Sequence, residues 1–221
     1  MATELSTHTT FDAPGPAVSS DTTYSYLPIE YTQEEKAILR ELAAEYMEYA
    51  TLPVQKETAR LWEKVNDLES ARPVIWHNEL PWHELNTEGE LTNKTSTAFT
   101  RRIEDELLRK IYLWKHMPGD MVMEPVFYSP MVIYNSGMGL SISEETVATD
   151  AESEIVSHKF IPQIITIEDT EKIVTPKVTL DKEKTQATYE AYQDIFGNIM
   201  PVEIKGVQGF WFAPIDDVVQ L

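Results

Sequence analysis

The stretch from Arg72 to Leu85, RPVIWHNELPWHEL, gathers the side chains of this chain that are best suited to chemistry. Between Trp76 and Leu85 the pattern Trp-His-(x)-Glu-Leu occurs twice. Histidine exchanges protons near neutral pH, and a neighbouring carboxylate can orient it or raise its pKa. Asparagine offers a donor and acceptors, and tryptophan a flat apolar wall. His83 and Glu79 are therefore the candidate catalytic, proton-handling groups. Trp76, Asn78 and Trp82 are candidate substrate contacts, and His158, in Ser157-His158-Lys159, is a further one. Each also has a plainer reading, the tryptophans as packing and the lone histidine as structural. No HExxH arrangement is present, so no metal is assigned to Glu79 or His83.

The elements that must position these groups follow from periodicity. Pro73-Val74-Ile75-Trp76 is an apolar run before a Pro-containing turn and reads as a buried strand. Its polar cluster would then fall at the strand's C-terminal end, where ligands collect in α/β sheets. Upstream, Thr32 to Glu35 is a capping box opening a helix that reaches about Tyr49. Thr51 and Pro53 restart a second helix with Val54, Leu61, Trp62, Val65 and Leu68 on one face, predicting an antiparallel helical hairpin. A helix from about Ala98 to His116 turns Phe99, Ile103, Leu107, Leu108 and Ile111 inward, and Pro118 and Gly119 end it. Asp105 with Arg109 and Glu106 with Lys110 are i,i+4 pairs on its wet side.

Met121 to Tyr134 reads as one or two strands interrupted by Pro125 and Pro130. Five of the eight methionines lie between Met117 and Met138, as a soft ligand lining or as ordinary core. Ser157 to Ile167 is another strand candidate, and Thr166 to Asp169 caps a short helix before Pro176. Asp181 caps a longer helix with Thr188, Ala191, Tyr192 and Ile195 inward and Gly197 as its stop. Val202 to Ile204 follows as a strand, and Pro214 to Val219 as the opening of one more helix. Helices followed by strand and helix units favour an α/β architecture on a mainly parallel sheet. Residues 1–30, rich in Ser, Thr, Ala and Pro, read as a flexible tail that Tyr24, Tyr26 and Leu27 could dock.

Composition narrows the function classes. The 221 residues are 42% hydrophobic, enough for a real core. No apolar run approaches the ~20 residues of a membrane helix, and no signal-like segment opens the chain, so a cytoplasmic protein is expected. The absence of cysteine excludes disulfides, Cys nucleophiles and thiolate metal sites. A net charge of -19 argues against nucleic acid or an anionic membrane as partner. No Lys or Arg occurs between Lys115 and Lys159, which makes that stretch a solvated acidic face or a surface for a basic partner.

Four segments together resemble a known family: RPVIWHNELPWHEL, WKHMPGDMVMEP (Trp114 to Pro125), SHKF (Ser157 to Phe160) and IEDTEKIVTPKV (Ile167 to Val178). They look like the N-terminal half of uroporphyrinogen-decarboxylase-like proteins, in the divergent branch grouped with corrinoid-dependent methyltransferases, over roughly Val54 to Leu221. The resemblance implies a partial (β/α)8 barrel over residues 71–221, preceded by the helical extension 31–70, with the chain as a truncated front part. It implies a small organic substrate at the C-terminal mouth of the strands. Decarboxylases of the family are cofactor-free and grip acidic substrates with arginines after the first strand, whereas Asn78 to Leu85 holds no Arg or Lys. Methyltransferase relatives use zinc, with ligands mainly in the C-terminal half, and a corrinoid protein as partner. No cofactor is evident within this chain. A self-contained, non-catalytic ligand-binding module and an acidic interaction module stand as alternatives, and a homo-oligomer is compatible with each.

Overall fold

The computed structural model describes residues 27–78, 80–140, 142–147 and 157–206. The first helix, α1 (Gln33–Ala50), opens on the expected capping box: Thr32 Oγ1 accepts from Glu35 N at 3.1 Å, and Glu35 Oε2 from Thr32 N at 2.9 Å. Helix α2 (Pro53–Asn66) starts with proline at its first turn, where a missing N–H removes no helical bond. A single turn, α3 (Trp82–Leu85), precedes the long α4 (Ala98–His116), whose bounds match the sequence expectation. Helix α5 (Lys182–Phe196) is capped by Asp181, which accepts from Lys184 N at 2.9 Å.

Among the described residues six short strands form three separate two-stranded pairs, with β1 (Phe127–Pro130) parallel to β6 (Val202–Lys205). The other pairs are antiparallel: β2 (Ile133–Asn135) with β5 (Val178–Leu180), and β3 (Glu144–Val147) with β4 (Ser157–Phe160). The fold is thus mixed α/β, but the mainly parallel sheet expected from the sequence is corrected: among the described residues one pair is parallel. Strand β4 is also shorter than the expected 157–167. Pro162 lacks an N–H for the ladder, and the chain turns into a 3-10 helix (Ile167–Lys172). The expected helix over Pro214 to Val219 lies outside the described residues, as do Tyr24 and Tyr26.

The core lies where α5 covers one face of β1 and β6 and where α1 crosses α4. Phe127 meets Phe196 at 4.8 Å between ring centroids and Tyr192 edge-on at 5.2 Å, and Tyr192 in turn meets Phe99 at 5.5 Å. Helix α1 packs chiefly on α4 and then α5 rather than on α2, which corrects the hairpin expectation. The face proposed for α2 explains this, since Val54 and Leu68 are exposed and Leu61, Trp62 and Val65 only half-buried. The buried residue of α2 is polar: Gln55 donates to Tyr49 O at 3.1 Å and accepts from Met123 N at 2.8 Å. Helix α2 is therefore attached by hydrogen bonds to the segment leading into β1. Gln55→Ala strands the buried Met123 N–H and is expected to lower stability by about 1–2 kcal/mol in urea denaturation.

Two carboxylates sit on the buried stripes of their helices. Glu104 of α4 accepts from Lys94 N and Thr95 N, each at 2.8 Å, and from Thr95 Oγ1 at 2.7 Å. The second oxygen of Glu35 accepts from Ser96 N and Ser96 Oγ, each at 2.8 Å. Together they hold the turn before α4 against α1. These donors keep the Glu35 carboxyl down at about 2, with the Ser96 and Thr32 backbone N–H groups the largest causes.

Candidate functional site

The segment 72–78 has no regular secondary structure, and Ile75 and Trp76 are 57% and 55% exposed. This corrects the buried-strand expectation for Pro73–Trp76. Its backbone finds a partner in a single residue of the turn after α4. Ile75 N donates to Asp120 Oδ2 at 2.8 Å, and Asp120 N donates to Ile75 O at 2.8 Å. Arg72 grips the same carboxylate with both terminal nitrogens, one at 2.8 Å. Trp62 Nε1 of α2 donates to Asp120 O at 2.6 Å. Every polar group of Asp120 is thus engaged, and Arg72, followed by the Ile75 N–H, holds its carboxyl down at about 2.

Gly119 makes this close approach feasible. Its φ of +51° is in the left-handed region, and a Cβ there would lie 2.9 Å from Ile75 O and 3.3 Å from the His77 ring. The segment therefore docks on the turn that precedes β1, not at the C-terminal end of a strand of its own.

The second half of the candidate site leans on α4. Trp82 is buried, edge-on to Tyr112 at 6.5 Å, with the Arg109 guanidinium 5.1 Å from its ring centre. Tyr112 OH donates to Leu85 O at 3.2 Å, and its ring lies 4.4 Å from that of His116. These contacts place a cation beside a stretch whose own sequence has none between residues 78 and 85. His83 is half-buried: its Nε2 lies 3.7 Å from Glu84 Oε1, and its Nδ1 is buried without a hydrogen-bond partner.

Among the predicted site residues, Trp82 and His83 sit together on α3, while Asn78 is exposed on the adjoining segment with Trp76. Glu79 lies outside the described residues. His158 is elsewhere: on β4 its Nδ1 lies 2.9 Å from Glu144 Oε2 and its ring stacks on Phe160 at 5.9 Å, a local cross-strand arrangement. The residues that sequence reasoning missed are Arg72, Gly119, Asp120 and Tyr112. Arg72 and Asp120 are 48 positions apart, beyond any spacing rule, although both fall inside the segments quoted for the family resemblance.

No group of three or more His, Asp or Glu side chains among the described residues could hold a metal ion. With no cysteine in the chain, the described residues do not offer zinc a donor set. No described helix is long and apolar enough to cross a membrane. Compared with protein-family models, curated proteins and solved structures, the chain gives no match.

Proposed function

We propose that this chain is the N-terminal portion of a (β/α)-barrel enzyme of the uroporphyrinogen-decarboxylase-like and corrinoid-methyltransferase-like type, acting on a small organic substrate. The observation that carries this reading is the unit β1–α5–β6. Its two strands are parallel and adjacent, and the helix that precedes the second packs on both. That is the unit a (β/α)8 barrel repeats.

On this reading the wall from Trp76 to His83 contributes substrate contacts and a proton-handling histidine. His83 is the group that exchanges a proton with substrate, with Glu84 beside its Nε2; Trp82 holds the ring's element against α4, and Asn78 orients the ligand by hydrogen bonding. A zinc or corrinoid step is not routed through these residues, because no group of three or more His, Asp or Glu side chains among the described residues could hold a metal ion.

The full-length protein is to be screened with porphyrinogens, and with methylated donors in the presence of a corrinoid protein. On the substrate that turns over, His83→Ala is expected to lower kcat by roughly 100-fold or more, the usual scale for a lost general acid or base. Asn78→Ala is expected to raise KM with a smaller change in kcat. Normal turnover of every active substrate by both variants would remove the pocket from the mechanism.

A further inference from the structure

Strand β5 pairs with β2 along one edge and is exposed along its length. Its three residues, Val178, Thr179 and Leu180, are all exposed, and β2 is the strand that pairs with it among the described residues. Ser136 N donates to Lys177 O, and Asp181 N donates to Val132 O, so residues 177, 179 and 181 direct their backbone groups toward β2. By the alternation of an antiparallel ladder, the N–H and C=O of Val178 and Leu180 point to the opposite side. A shallow depression of about 470 Å3 runs along this strand, lined by Tyr134, Thr179, Leu180, Asp181, Lys182 and Glu183.

We propose that this edge docks a second copy of the chain, the two β5 strands running antiparallel about a two-fold axis at Thr179. Three consequences of that register agree with the residues present. Val178 falls opposite the partner's Leu180, so the outward backbone groups meet as a hydrogen-bonded pair and two apolar side chains pack across the junction. Lys177 falls opposite the partner's Asp181, and the two-fold repeats this attraction. The product is a four-stranded ribbon, which removes two open edges at once.

Charge favours this occupant over others. The stretch 157–180 carries Lys159, Lys172 and Lys177 against Glu168, Asp169 and Glu171, so it is neutral within a chain of net charge -19. Two copies approach there without the repulsion that their other surfaces impose. Strand β4 has no such fit, because antiparallel self-pairing would set His158 against the partner's Lys159. The exposed Ile165, Ile167, Ile173 and Val174 flank the junction in sequence and add apolar surface to the same neutral stretch.

Sedimentation velocity of the whole chain across a wide concentration range tests the proposal, and a monomer–dimer equilibrium is expected. Lys177→Asp sets two carboxylates against each other across the junction, and Asp181→Lys sets two ammonium groups together; each variant alone is expected to dimerise about tenfold more weakly. Mixed in equal amounts, they restore an attraction across the junction and are expected to recover a heterodimer. The amide hydrogens of Val178 and Leu180 should exchange slowly only at concentrations where the dimer is populated. Should Asp181→Lys fail to fold for want of its helix cap, Val178→Pro, which deletes an outward N–H, serves as the second variant. A wild-type mass that stays monomeric overturns the proposal. So does a dimer indifferent to Lys177→Asp, or protection of those two amides in the monomer, which would place another segment of the same chain on this edge.

Discussion

Glu35→Ala is expected to lower the unfolding free energy by about 3 kcal/mol, the largest single-residue effect on stability predicted for this chain. The carboxylate is buried and serves two elements at once, closing the capping box of α1 with one oxygen and the turn before α4 with the other. Truncation leaves the N–H groups of Thr32 and Ser96 without their acceptor in a part-buried place, so the loss is that of several bonds to a charged group rather than one. The pH dependence gives a second, independent signature. The folded state holds this carboxyl at about 2, below its ordinary 4.5. Its stabilisation is therefore fully present above the ordinary value and is lost as pH falls from there through about 2. Urea midpoints of wild type and variant should differ most at neutral pH and converge in acid. A gap that stays constant across this window would mean that ionisation of Glu35 is not what holds the two helices together.

How much of this was legible in the sequence depends on the range over which each signal acts. Helices α1, α4 and α5 end within a residue or so of their expected limits, because caps and apolar periods are written within one or two turns of the chain. The strands are less legible. Residues 73–76 are apolar enough for a buried strand, yet their backbone partner is one aspartate 45 positions away rather than a ladder. The two buried glutamates did leave a trace. Glu35 lies on the stripe with Leu39, Ala43 and Tyr46, and Glu104 on the stripe with Thr100, Ile103, Leu107 and Ile111, so each is a charge at a core position. A charge on such a stripe must find donors from another element. Periodicity can flag the residue but cannot name the donors. The candidate site divides in the same way: the twice-repeated Trp-His motif marks the segment, while the residues that hold it are remote in sequence.

The largest structural effect expected at the candidate site comes from Asp120, which touches no predicted catalytic group. Its carboxylate holds Arg72 and the Ile75 N–H, and nothing else described ties residues 72–75 by side-chain bonds to the turn after α4. Asp120→Ala should therefore free the segment carrying Trp76, His77 and Asn78 while leaving α4 and the β1–β6 pair intact. Exchange of the Ile75 amide hydrogen is expected to accelerate by about tenfold or more, the scale of losing a charge-assisted bond. Far-UV circular dichroism should stay unchanged. Arg72→Lys is expected to fall between wild type and Asp120→Ala, since an ammonium offers one point of contact where the guanidinium offers two. If the segment is a pocket wall, Asp120→Ala should weaken substrate use nearly as much as His83→Ala, but through KM as well as kcat, because a displaced wall both binds and orients less well. Fast exchange at Ile75 with undiminished kcat/KM would separate the two ideas, keeping Asp120 as the tether of this segment and taking the segment out of the site.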